Sequence, residues 1–175
     1  KAAAHIQLDE NGEFVRNPKE DLVKVAVVER HQGTGNVACG FLKGYGIKEG
    51  AVALSVAHDS HNIIVVGVND EEMEFAVNSL IAQEGGIVLV KEGKVIEQMP
   101  MPIAGLMSDQ SGEWVDEKLT SIHEKAYTEL GICGDVEPVM TLCFMSLAVI
   151  PEIKLTDMGL FDVTTFSFIP VEISR

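Results

Sequence analysis

Two imidazoles, a carboxylate, a hydroxyl and an amide occupy five consecutive positions in His58-Asp59-Ser60-His61-Asn62. Apolar, β-like runs flank them on both sides, so the five residues sit where a strand leaves the core or in a tight connection. Imidazole and carboxylate this close share a proton, orient one another or hold a metal. Spacing narrows those options. Side chains two apart share a strand face, which pairs His58 with Ser60 and Asp59 with His61. A nucleophilic triad needs three side chains converging in line, and sequence neighbours seldom supply that. The two histidines have neither H-x-H nor helical i, i+4 spacing. Three readings stay open: a functional cluster, a polar turn that satisfies backbone groups, and an interface.

A second polar cluster is Glu29-Arg30-His31, followed by Gly33-Thr34-Gly35. Through Ala38 it reads G-x-G-x-x-A after a strand, the outline of a dinucleotide-binding fingerprint. Charged residues stand where the first glycine should directly follow the strand. Glu49 and Asp59 are off register for the ribose-binding acid. A glycine-rich turn exposing Arg30 and His31 is the better reading. Ser108-Asp109 reads as a helix-capping loop. Cys39, Cys133 and Cys143 read as buried thiols, the methionines as core, His5 and His123 as surface, and Asp157-Met158-Gly159 as a turn.

The elements that must position these groups follow from periodicity. Leu22–Val28, Ala51–Ala57 and Ile63–Val68 are apolar and β-branched, as buried strands are. Residues 37–46 mix apolar residues with three glycines and read as a short helix or a packed loop. Asn69 with Glu72 three residues on forms a capping box, and Met73, Ala76, Val77 and Leu80 make one helical stripe ending at Gly85-Gly86. Ile87–Val90 and Val95–Met99 flank Lys91-Glu92-Gly93-Lys94 as a hairpin, with Pro100 and Pro102 confining its second strand to an edge. A second helix starts near Ser111, with Val115, Leu119, Ile122 and Ala126 on one face and Gly131 closing it. Residues 103–112 are the one place a linker would fall, but the chain reads as one domain. Met140–Ile150 is an apolar run, and the tail from Phe161 alternates weakly. The pattern predicts an α+β fold with a mixed, largely antiparallel sheet and two main amphipathic helices, not a complete TIM barrel. Residues 1–21 are a polar lead-in to a domain over 22–175.

The chain has 175 residues, 46% of them hydrophobic, with 13 Lys plus Arg against 27 Asp plus Glu and a net charge of −14. A chain of this size and apolarity builds a core without disulfides or a structural metal. Its charge opposes nucleic-acid backbones and anionic membranes. Three cysteines without a C-x-x-C pair argue against a disulfide scaffold and a Cys-rich zinc site, and make a reducing cytoplasm the simplest setting. No run is long enough to span a bilayer. A start at Lys1 without an initiator Met suggests a processed chain or a piece of a longer one.

The strings Val27–Asn36, Phe41–Gly46, Ser55–Asp70, Pro102–Asp109 and Pro151–Asp157 closely resemble the C-terminal domain of bacterial adenine deaminase. The resemblance runs from Leu22 to Val171. It implies a hydrolase of the amidohydrolase superfamily that converts adenine to hypoxanthine and ammonia in purine salvage. It also implies an N-terminal (β/α)8 barrel in the same chain, with manganese or iron lowering the pKa of water, and a homo-oligomer. The family's metal-binding H-x-H motif belongs to that barrel and does not occur here. No metal ligand, cofactor or catalytic residue is therefore expected in this chain. The expected role is to support or close the barrel's active site, through Glu29, Arg30, His31, His58, Asp59, Ser60, His61 and Asn62. The alternative is a structural or oligomerisation module. If the strands ending near residues 28 and 57 are parallel neighbours, the two polar clusters meet at one sheet end. An antiparallel pairing of those strands would hold them about 20 Å apart.

Overall fold

In the computed structural model, which describes residues 4–17 and 19–172, the chain opens with a short hairpin of β1 (Gln7–Leu8) and β2 (Phe14–Val15). Phe14 packs on Phe41 with ring centroids 4.9 Å apart, and Arg16 Nη1 donates to the Lys48 carbonyl at 2.8 Å. The lead-in therefore lies against the main fold.

Six strands then form one sheet: β3 (Leu22–Val28), β4 (Val37–Lys43), β5 (Ala51–Leu54), β6 (Ile63–Gly67), β7 (Gly86–Lys91) and β8 (Lys94–Pro100). Their spatial order is β4-β3-β6-β5-β7-β8, and every neighbouring pair is antiparallel. The central strands β5 and β6 are buried at every position. An antiparallel sheet with one wet face would alternate apolar and polar residues. These strands do not, because both faces are covered. On one face α1 (Asp70–Ala82) sets Met73, Ala76 and Leu80 against Ala26, Ala51, Ala53 and Val65. Alanines on the sheet let that helix approach closely. The other face, carrying Val52, Leu54, Ile64 and Leu89, packs under α2 (Gly112–Thr128) and α3 (Pro138–Cys143). A second antiparallel sheet, β9 (Ile153–Thr156), β10 (Gly159–Asp162) and β11 (Ser167–Ile169), contributes Leu155 and Leu160 to the same core. The fold is α+β, as the pattern predicts.

Local signals account for the helix starts. The Asn69 side chain accepts from Glu72 N at 2.8 Å, and Ser111 Oγ accepts from Trp114 N at 3.3 Å. Glu92 and Gly93 take φ of +52° and +66° at the hairpin turn. Because β8 is the outermost strand, Pro100 interrupts no further ladder.

Several expectations fail for physical reasons. Residues 37–43 form neither a helix nor a loop but strand β4, in register with β3 from Val28↔Val37 to Leu22↔Lys43. Gly40 is tolerated there because Leu155 and Leu160 pack onto its bare Cα, 3.4–3.7 Å from where a Cβ would stand. Cys39 and Cys133 are exposed, and only Cys143 is the buried thiol expected, its pKa pushed up to about 11 by burial. Met107, Met140 and Met158 are exposed rather than core. His123 is not a plain surface residue: its Nε2 pairs with Glu137, which also caps α3. Among the described residues no helix is long and apolar enough to cross a membrane.

Candidate functional site

The two polar clusters meet, by a different route from the one expected. β3 and β5 are parallel to each other but are not neighbours, since β6 lies between them and is antiparallel to both. The 58–62 segment that follows β5 also precedes β6. The β3–β6 register pairs Val28 with Ile63, so residues 29–31 leave the sheet directly beside residues 58–62. An antiparallel neighbour brings the clusters together here rather than apart.

Glu29 organises its own loop. Its carboxylate accepts from His31 N at 2.5 Å, Gln32 N at 2.7 Å, and Thr34 N and Oγ1 both at 3.0 Å. The Thr34 backbone bond is the largest influence on its pKa, and with those from Gln32 and His31 it outweighs desolvation and holds the carboxyl at about 2. With its lone pairs engaged, Glu29 is a fixed anion, not a proton carrier. After Gly33-Thr34-Gly35 the chain enters β4, so no helix N-terminus stands behind the glycines as a dinucleotide fingerprint requires.

Arg30 joins three segments. Its Nε donates to the His61 carbonyl at 2.5 Å and its Nη2 to the Ala104 carbonyl at 2.8 Å. Its backbone N donates to Asn62 Oδ1 at 3.3 Å. Burial pushes the guanidinium pKa down, and no carboxylate among the described residues forms an ion pair with it. Beneath it, the fully buried Ser55 donates to the Gly105 carbonyl at 2.5 Å and accepts from Gly86 N at 2.8 Å. The 102–107 loop is thereby locked under the sheet end.

Gly105 has φ +72°, and a Cβ there would approach Arg30 Nη1 to 2.9 Å. Gly105→Ala is expected to lower stability by about 2 kcal/mol, from left-handed strain plus displacement of Arg30. Gly44→Ala, with φ +87° and open space around it, carries the strain alone and costs about 1 kcal/mol. Thermal unfolding of both variants checks the difference; equal losses would show that Arg30 yields freely.

The other predicted residues divide by what their side chains do. His31 Nε2 lies 2.7 Å from the Ser60 carbonyl and must donate to it, since a carbonyl only accepts. Asn62 is buried, and its N donates to Ser60 Oγ at 3.4 Å. Asp59 is exposed. His58 is fixed through its backbone: its N donates to the Cys143 carbonyl at 2.9 Å, and its carbonyl accepts from Ser146 Oγ at 3.0 Å. Its ring packs against Phe144 at 5.2 Å and 24°, and against His61 at 5.3 Å and 65°. His61 takes φ +53°, and its Nδ1 is shielded from solvent without a hydrogen-bond partner among the described residues. Burial first, then His58 and Arg30, lower its pKa from the ordinary histidine value, which keeps the ring neutral at neutral pH.

The structure thus brings all eight predicted residues to one sheet end and separates scaffold from free groups. Glu29, Arg30, His31, Ser60 and Asn62 tie the loops, while the side chains of His58, Asp59 and His61 make no hydrogen bond among the described residues. Among the described residues no three His, Cys, Asp or Glu side chains gather as a metal ligand set. Sequence reasoning missed Phe144, Ser55 and the Ala104-Gly105 turn. A serine inside the apolar run Ala51–Ala57 was the one available signal, since a buried hydroxyl requires partners.

The sequence pattern of the adenine deaminase C-terminal domain matches residues 2–167. The chain is similar to adenine deaminase 2 of Desulfotalea psychrophila, 70% identical over 98% of this chain and 30% of that protein. It is also similar to adenine deaminases of Ligilactobacillus salivarius, 51% identical over 96% of this chain and 29% of the relative, and of Nitratidesulfovibrio vulgaris, 53% identical over 88% and 27%. The chain spans less than a third of the length of these relatives.

Proposed function

This chain belongs to the adenine deaminase C-terminal domain family, and from that premise we propose that its sheet end faces the active-site mouth of a longer enzyme. That enzyme hydrolyses adenine to hypoxanthine and ammonia in purine salvage in the cytoplasm, with its N-terminal barrel in the same polypeptide. The observation that carries this reading is the convergence of residues 29–31, 58–62 and 102–107 at one sheet end. Scaffold bonds there leave the His58 and His61 rings and the Asp59 carboxylate without a side-chain hydrogen bond among the described residues. A buried polar atom that only tied strands together would have a partner within the domain; His61 Nδ1 has none among the described residues.

Manganese or iron, implied by the resemblance, finds no ligand set among the described residues of this domain. The described residues here do not fit such an ion. What this chain's residues do is close the site against water and present the His58 and His61 imidazoles at its rim, where they orient the base and accept or return a proton.

A full-length polypeptide carrying His58→Ala or His61→Ala tests the reading. Turnover of adenine is expected to fall about tenfold or more, at the low end of general acid–base and positioning effects, with melting temperature and assembly unchanged. Wild-type turnover accompanied by lost stability or assembly would support the alternative, a structural or oligomerisation module, for which the dense bonding of Glu29 and Arg30 speaks.

A further inference from the structure

We propose that Phe144 and His58 form a stacking platform for the purine ring; the inference rests on the reading that this sheet end faces the active site. Phe144 lies in the apolar run 140–150, whose Leu142, Cys143 and Leu147 are buried, yet it is 36% exposed. Its ring meets the His58 imidazole near parallel, with centroids 5.2 Å apart. The residues that flank Phe144 are the ones that hold His58: the Cys143 carbonyl takes the His58 N–H, and Ser146 Oγ donates to the His58 carbonyl. Both rings are therefore fixed relative to one another before any ligand arrives, which removes an ordering cost from binding.

The chemistry of the pair selects the ligand class. The His58 imidazole makes no hydrogen bond among the described residues, and its contacts are with the rings of Phe144 and His61. His61, neutral because of its burial, closes one side edge-on. Ring faces beside free imidazole nitrogens suit a flat heteroaromatic molecule with donors and acceptors along its edge. An aliphatic partner would gain nothing from the planar faces and would leave the nitrogens unpaired. Adenine, the substrate in the names of the relatives, is such a molecule.

Steady-state kinetics of the full-length enzyme decide the matter. Phe144→Leu keeps apolar volume but removes the flat face. It is expected to raise KM for adenine about tenfold, within the range measured for base–aromatic stacking. Little change in kcat and an unchanged melting temperature should accompany that rise. Phe144→Trp should restore KM, and adenine should quench the fluorescence of the added indole. If His58→Ala and His61→Ala impair turnover while Phe144→Leu leaves KM unchanged, the platform is wrong and the placement of the sheet end stands. If all three variants turn over like wild type, the placement itself fails. A lowered melting temperature for Phe144→Leu without a change in KM would make Phe144 a packing contact and overturn the inference. So would a raised KM that Phe144→Trp does not rescue.

Discussion

Arg30→Met is expected to lower the unfolding free energy of this chain by about 3 kcal/mol, more than any single change on the site's free histidines. The guanidinium donates to the carbonyls of His61 and Ala104 at 2.5 and 2.8 Å. Hydrogen bonds from a charged donor contribute about 1.5–3 kcal/mol each. Methionine preserves the apolar stem but satisfies neither carbonyl, so the 58–62 and 102–107 segments lose their common tie. The backbone bond from Arg30 N to Asn62 Oδ1 survives, which keeps the loss local rather than global. Arg30→Lys should recover less than half of the difference. An ammonium is a compact point donor and does not reproduce a planar fork aimed at two acceptors from different loops. Urea unfolding gives the energies, and amide exchange should accelerate selectively in residues 58–62 and 103–107. A loss below about 1 kcal/mol, with unchanged exchange there, would mean that Ser55 and the β3–β6 ladder hold the sheet end without Arg30.

The Arg30 tie also marks where sequence reasoning stops. Helix α1 was readable because its cap and its stripe both lie within a dozen residues of Asn69. The Lys91–Lys94 hairpin and the start of α2 at Ser111 were readable for the same reason. Strand β4 was not, since its one glycine makes sense only once Leu155 and Leu160, more than a hundred residues later, fill the space over Gly40. The site divides in the same way. That residues 29–31 and 58–62 leave the core at strand ends could be read from polarity alone. Which strand separates them could not, because the order β3-β6-β5 depends on pairings across the sheet. Nor could polarity show that Glu29 is consumed by its own loop while His61 Nδ1 stays unpartnered. That accounting needs bond partners, some of them, as for Arg30 and Ala104, 74 residues apart. Phe144 was hidden for a simpler reason: inside an apolar run, an exposed aromatic looks like every other core residue.

Away from the site, Glu97→Gln is expected to destabilise the chain by about 2 kcal/mol at neutral pH and by almost nothing near pH 2. Glu97 is 9% exposed on the edge strand β8. Its carboxylate accepts from Lys118 Nζ at 2.8 Å, Ser121 Oγ at 2.5 Å and Lys125 Nζ at 3.2 Å, all on α2, and from Gln98 N at 3.0 Å. Burial alone would raise the Glu97 pKa. The bonds from Lys118, Ser121, Gln98 and Lys125 together outweigh it and hold the carboxyl at about 2. An unfolded glutamate titrates near 4.3, so the folded state binds its proton less readily. The stabilisation is then fully present above about pH 4.3 and disappears as pH falls through about 2. A full shift of that size corresponds to about 3 kcal/mol. Solvent reaching Lys118 and Lys125, each about one third exposed, reduces it to about 2 kcal/mol. Glutamine keeps the shape and removes the charge, which isolates this contribution from packing. Urea titrations of both proteins at pH 7, 4 and 2.5 should show the gap closing as the acid limit is approached. A constant gap across that range would mean that shape and neutral hydrogen bonds, rather than the carboxylate charge, fasten α2 to β8. The clamp matters to the site because β8 ends at Pro100 and runs directly into the 102–107 loop beneath Arg30.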